Sequence, residues 1–322
     1  MGTVVALAGQ VGGAKLADGL YRLRGKDLAV VVNTADDYEH LGLRFSPDLD
    51  TALYALAGIA NPAAAWEPEG ETQVVHGMLK ALGGPARPGI GDKSLAAPIL
   101  RTEWMRNDRR LTQVSLEFCR RLGIQARVLP MTDDPVCTHV LSEEGALTFH
   151  EYFNDLGCEP VVRGFQYAGA DEARISDEVL DALHAHDLEA VVLCPANPYH
   201  AIQPILAVNG MRALLRKRGA PVIAVTPIVG GKALKGSAGK IMRELGREPS
   251  PLAAAGEYLR LIDGFVIDLV DAAQAQNVRA LGIETAAAQT IMRSVDDRVA
   301  LARVVLEFAR ALREKKAVEA EG

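Results

Sequence analysis

The chain has 322 residues, about half of them apolar, and a formal net charge of −6 at pH 7. That length can bury a large core, as one domain or one and a half, and the negative balance gives no reason to expect nucleic acid or an anionic membrane as a partner. No apolar run approaches the roughly 20 residues of a membrane span. The first ten residues, MGTVVALAGQ, lack basic side chains and break early into glycine, so no signal peptide is expected. Cys119, Cys137, Cys158 and Cys194 form no CxxC pair and have no histidine at zinc-like spacing. A cytoplasmic protein with reduced thiols is the expectation.

In chain order, TVVALAG is a short β-branched run ending in glycine, and Leu16, Leu20 and Leu23 then share one helical face. LAVVVN is a continuous apolar strand of the kind buried on both faces of a parallel sheet. SPDLDTALYALAGI predicts a helix, with Ser46 at the N-cap and Pro47 at the first helical position. Strand, helix, strand, helix in this order predicts an open parallel sheet. Residues 63–110 are richer in proline, glycine and charge, with helical pieces near 74–82 and 95–109, and are expected to cap the sheet as an insertion. LTQVSLEFCRRLGI is an amphipathic helix, ARVLPMTDD returns to the sheet, and THVLSEEGALTFHEYF predicts an antiparallel excursion around a Glu-Glu-Gly turn. Alternation resumes with helix DEVLDALHAH, strand AVVLCPANP, helix NGMRALLRKRG, strand PVIAVTPIVGG and strand FVIDLV, and a helix at about 298–316 closes the chain. The fold class is α/β, a single body over 1–322: a Rossmann-like, mostly parallel sheet flanked by helices, with a mainly helical substrate-covering insertion.

Four stretches carry chemistry. In AGQVGGAKLADGL, Gly9, Gly12 and Gly13 lie between a strand and a helix, either as a structural turn or as a cradle where N–H groups approach a phosphate. The loop lacks the Walker Lys-Ser/Thr ending, and Val11 and Ala14 stand where a dinucleotide fingerprint needs glycine. Lys15 adds a charge or is solvated. Asp36 and Asp37 follow the second strand, and Asp48 and Asp50 open the next helix. Capping or a turn explains any one of them, but four carboxylates together repel unless a cation or donors compensate. Oxygen ligands beside a phosphate suit Mg²⁺. In LCPANPYHAI, two prolines stiffen a loop whose Asn197 amide can donate to and accept from a nucleobase edge, or simply turn the chain. TPIVGGKALKGSAGK, with Lys232, Lys235, Ser237 and Lys240, and GIGDKSLA, with Asp92 and Lys93, are weaker anion-contact candidates. His40, His76, His139, His150 and His200 show no ligand spacing, and none is given a role.

The succession GQVGGAK, VVNTADD, SPDLDT, GDK, LPMTDDPV, CPANP and TPIVGGKALKG resembles the 2-phospho-L-lactate transferase (CofD) family of deazaflavin coenzyme F-420 biosynthesis over nearly the whole chain. The resemblance implies a Rossmann-like homodimer. Its implied activity is transfer of a phospho-carboxylate unit from a guanosine-diphosphate-linked acid to 8-hydroxy-5-deazariboflavin (Fo), with GMP leaving. It implies that Gly9, Gln10, Val11, Gly12, Gly13, Asn33, Pro195, Ala196 and Asn197 bind the guanylyl donor. Asp36 and Asp48 are implied to hold Mg²⁺, Asp50 and Lys93 to meet Fo, and Asp48 and Asp50 to be the catalytic acids. Trp66 or Trp104 is expected to supply part of a shelf for the Fo ring.

The sequence departs from the family pattern at Gln10-Val11, where relatives carry a further glycine, and at Lys93, which replaces the commoner arginine fork by a point charge. The rival of another class is a group of non-enzymatic, nucleotide-sugar-binding regulatory proteins on the same core. Those carry a Gly/Ser-rich run after the Asp pair, whereas this chain has Tyr38-Glu39-His40 and an intact SPDLDT. A nicotinamide oxidoreductase is disfavoured by the displaced glycines and by Asn33-Thr34 where a ribose-binding acid belongs.

Overall fold

The computed structural model describes residues 2–321 apart from 86, 218, 234 and 235, with side chains up to 318. Seven parallel strands form the central sheet: β1 (Thr3–Ala8), β2 (Leu28–Val32), β3 (Arg127–Pro130), β4 (Leu188–Leu193), β5 (Val222–Val225), β6 (Gly264–Asp268) and β7 (Glu284–Ala288). Their order across the sheet is β7-β6-β5-β4-β1-β2-β3, so β1 pairs with β2 on one side and β4 on the other.

Every residue of β2, β4 and β6 is buried, as expected of strands covered on both faces. Successive side chains feed two separate cores, as the two-residue period of a strand requires. Val5, Leu7, Val191 and Leu193 face one core; Val4, Ala6, Ala190 and Val192 face the other. On the second face lie α1 (Gln10–Arg24), α2 (Pro47–Ala57), and the C-terminal helix Val295–Glu321, which runs beyond the expected 298–316 at both ends.

The insertion holds α3 (Val74–Ala81) and α4 (Ala96–Arg106), followed by α5 (Leu111–Arg121) against β3. None of α3 is buried, whereas α4 buries Pro98, Arg101 and Thr102. A hairpin absent from the sequence reading, Tyr38–His40 paired with Leu43–Phe45, lies between β2 and α2. It is tied to α4 by Arg44 N–H donating to Thr102 Oγ1 at 2.8 Å.

The predicted excursion is present as Cys137–Ser142 against Gly145–Thr148. It gains a third strand, Val162–Ala168, and residues 151–155 form a π-helical turn where a strand was expected. Among the described residues no helix is long and apolar enough to cross a membrane.

Candidate active site

Strand order reverses beside β1, so the loops leaving β1 and β4 open a crevice at the carboxyl edge of the sheet, where α/β folds bind ligands. The β1 loop runs from Gly9 into α1, and the β4 loop carries Pro195, Ala196 and Asn197. They meet directly. Asn197 N–H donates to Gln10 Oε1 at 3.1 Å. Gly12 approaches the Pro195 carbonyl oxygen so closely that a Cβ would overlap it. Gln10 opens α1 at φ +57°, a left-handed conformation that costs a non-glycine residue about 1–2 kcal/mol. Bonds from both its backbone and its side chain hold it there.

The four acids divide into two pairs. Asp48 does not cap its own helix. Its Oδ1 accepts from Gln10 N–H at 2.8 Å, which places a carboxylate at the start of α1, and its Oδ2 accepts from Asn33 Nδ2 at 3.1 Å. Asn33 is fixed in turn, with Oδ1 accepting from Ala35 N–H and Nδ2 also donating to the His200 carbonyl. Asp36 Oδ2 lies 3.2 Å from His200 Nδ1. Burial, then the neighbouring charge of Asp36, pushes Asp48 up to about 6.

Asp37 is also held well above the usual carboxylate range by burial, although Ser46 Oγ donates to its Oδ2 at 2.5 Å. Ser46 stands where the sequence places it. It occupies the N-cap position of α2, but its hydroxyl serves Asp37 and makes no cap bond. Asp50 meets Arg101, a fully buried guanidinium whose NH2 and NH1 donate to its two oxygens, the second at 3.3 Å. Burial raises the Asp50 pKa and Arg101 opposes the rise.

The Oδ1 atoms of Asp36 and Asp37 are buried without a hydrogen-bond partner among the described residues. A buried carboxylate oxygen in that state wants a cation or a donor. Among the described residues no group of three or more His, Cys, Asp and Glu side chains is arranged to hold a metal. Two carboxylates with a ligand phosphate nevertheless suit Mg²⁺, which seldom takes an all-protein cage. Asp36 and Asp48 fit that role.

The profile of the family described as 2-phospho-L-lactate transferase CofD matches residues 4–304. The chain belongs to this family. A phosphoenolpyruvate transferase of Streptomyces griseus subsp. griseus is 37% identical over 317 residues, spanning 96% of this chain and 99% of that protein. The 2-phospho-L-lactate transferase of Methanopyrus kandleri is 38% identical over 314 residues, spanning 96% and 98%. That of Methanosarcina mazei is 36% identical over 305, spanning 94% and 99%. A solved structure of a UPF0052-family protein from Bacillus halodurans superposes with a TM-score of 0.62 at 16% identity, covering 95% of this chain and 98% of that one, a likeness of fold. The protein is thus a transferase of the CofD type.

In this CofD-family chain the crevice gathers Gly9, Gln10, Asn33, Asp36, Asp48 and the 195–197 loop through the bonds above. Val11, Gly12 and Gly13 follow in the first turn of α1, where N–H groups have no intrahelical acceptor. Asp50 lies one turn into α2 against Arg101. Lys93 stands apart in the insertion, exposed, its Nζ donating to Glu69 O at 2.6 Å. Asp92, its neighbour, accepts from Thr72 Oγ1 and from the N–H groups of Val74 and Val75, so it caps α3 and forms no pair with Lys93.

Two of the lysines named as anion contacts already have backbone partners. Lys240 donates to Pro160 O at 2.9 Å, and Lys15 to Met292 O at 3.0 Å. Lys235 lies outside the described residues. Trp104 packs on Phe118 between Arg109 and Arg121, and Trp66 is 56% exposed. The aromatic groups beside the acids are instead Tyr38, stacked between Phe45 at 5.1 Å and His150 at 3.9 Å. Sequence reasoning missed His200 and Arg101. The one signal for His200 was its place five residues after Pro195, in the loop that leaves β4.

Proposed function

We propose that this transferase moves a phospho-carboxylate unit from a guanosine-diphosphate-activated donor to a ribityl hydroxyl of Fo, releasing GMP, in coenzyme F-420 biosynthesis. The observation that carries the reading is the pair Asp36 and Asp48, with a partnerless buried oxygen beside them, set between a glycine loop and a stiff proline loop at the switch point of the sheet. A diphosphate laid along the start of α1 meets N–H groups, and Asn197 stands beside it for the guanine edge.

In the transfer, the Fo hydroxyl oxygen bonds to the phosphorus that carries the acid. The bridging bond from that phosphorus to the GMP oxygen breaks, and the hydroxyl proton passes to solvent water. Little covalent chemistry falls to the protein, so positioning and charge decide the rate. Mg²⁺ held by Asp36 and Asp48 would offset charge on the diphosphate and on the leaving GMP. Asp50, steadied by Arg101, orients the acceptor hydroxyl.

The apolar cleft between hairpin and insertion, lined by His40, Phe45, His76, Leu79, Ile90 and Leu95, has a volume of about 20 Å³, so it would admit the Fo ring only if the insertion moved outward. Relatives named for phosphoenolpyruvate and for 2-phospho-L-lactate transfer are about equally similar, at 37% and 38% identity, so identity does not select the acid.

A crystal grown with Mn²⁺ and GDP tests the placement. Anomalous density between Asp36 and Asp48, with guanine at Asn197, is expected. Nucleotide bound away from the switch point would overturn it.

A further inference from the structure

Hydrogen-bond geometry fixes the state of His200, and with it a role. Asn197 N–H is a backbone donor, so the Gln10 side-chain atom that meets it at 3.1 Å is the carbonyl Oε1. The Gln10 NH₂ is thereby turned to His200 Nε2, 3.3 Å away, and Nε2 must accept. The ring proton then sits on Nδ1 and is donated to Asp36 Oδ2 at 3.2 Å.

Nothing in this chain of contacts is loose. His200 is 1% exposed and stacks on Phe149 at 4.0 Å with ring planes 22° apart. It rides a π-helical turn, Pro198–Ile202, whose start is capped by Asn197 Oδ1 accepting from Tyr199 N–H at 3.0 Å. Such turns recur at functional sites.

His200 also reaches the second acid. Its carbonyl shares the Asn33 Nδ2 group with Asp48 Oδ2, and Gln10, which it orients, gives its own N–H to Asp48 Oδ1. The two carboxylates are therefore tied to one residue, Asp36 through the ring and Asp48 through the backbone carbonyl and Gln10, and the ring holds Asp36 with Oδ1 left without a partner among the described residues.

We infer that His200 is a positioning residue for the cation–diphosphate subsite: its Nδ1–H sets the Asp36 carboxylate, and its Nε2, through Gln10, links that carboxylate to the nucleotide loops after β1 and β4. This inference rests on the proposed function and adds to it a residue that touches neither substrate. Groups that hydrogen-bond a ligating carboxylate govern its affinity by roughly 10–100-fold.

The two halves of the link separate by substitution. His200→Asn places an amide, with its donor, at the Nδ1 position, and His200→Gln places its amide near the Nε2 position, away from Asp36. The test is calorimetric titration of Mn²⁺ into the full chain saturated with GDP, together with GDP alone and a thermal melt of each variant. Wild type is expected to bind Mn²⁺. His200→Ala and His200→Gln should weaken Mn²⁺ by about 10–100-fold, with His200→Asn within about threefold of wild type. The contrast between Asn and Gln is one that general destabilisation would not produce. Equal losses in Asn and Gln, or unchanged Mn²⁺ affinity in all three, would overturn the role of His200 while leaving the functional reading intact. Failure of wild type to bind Mn²⁺ with GDP would overturn both.

Discussion

Replacing Arg101 with methionine removes the cation that meets Asp50 inside the protein. Both groups are buried, and Arg101 also donates to the Arg44 carbonyl at 3.1 Å, which ties α4 to the hairpin. Stripping one partner from a buried pair leaves an uncompensated carboxylate and costs about 3–5 kcal/mol. For a chain of this length that loss lowers Tm by about 4–7 °C. Methionine fills much of the arginine stem volume, so the penalty is electrostatic rather than a cavity. The double variant Arg101→Met with Asp50→Leu replaces the pair by apolar groups of similar volume and should recover to within about 1 kcal/mol of wild type. The single and double variants are compared by urea unfolding, with transfer activity measured alongside. The double variant is expected to be stable and inactive, because Asp50 is proposed to orient the acceptor. A loss below about 1 kcal/mol in the single variant would refute the reasoning, as would a double variant no more stable than the single.

Three other outcomes follow from particular contacts. Asp48→Ala removes both a proposed metal ligand and the acceptor for Gln10 N–H, so turnover should vanish and stability fall by about 0.5–2 kcal/mol, the range of a lost cap; near-normal turnover would sink the ligand assignment. Gly12→Ala forces apart the β1 and β4 loops, and a shift of about 1 Å there should reduce kcat/KM by about 100-fold. An unchanged rate in that variant would mean that the two loops do not jointly hold the donor. Asp268, at the end of β6, is raised by burial but lowered more by bonds from Val270 N–H, Thr290 N–H and Thr290 Oγ1, leaving its pKa below the ordinary value. Its contribution is therefore present above the unfolded-state pKa and lost as pH falls through the folded one. Asp268→Asn should flatten the acid limb of a stability–pH curve, and an acid limb unchanged from wild type would contradict this.

The parallel strands were legible because burial on both faces leaves continuous apolar runs, as in LAVVV. β7 was not, since ETAAA carries small side chains with little strand preference and is placed by pairing with β6. The loops and acids of the crevice were visible as local motifs. What joins them was not, because His200 meets Asp36 across 164 positions and Arg101 meets Asp50 across 51. A histidine without ligand spacing and an arginine inside an insertion gave no local sign of either contact. Ser46 shows a limit of position alone: it stands at the N-cap as expected, but a buried neighbour claimed its hydroxyl.

The most direct test of the central claim is a turnover assay of the purified protein with Fo, Mg²⁺ and, in turn, guanosine-diphosphate-linked 2-phospholactate, phosphoenolpyruvate and 3-phosphoglycerate donors, read by mass spectrometry. One deazaflavin phosphodiester and an equal amount of GMP are expected from at least one donor, and neither from the Asp36→Asn, Asp48→Asn double variant. GMP without a deazaflavin product, or no reaction with any donor while nucleotide still binds, would contradict the claim.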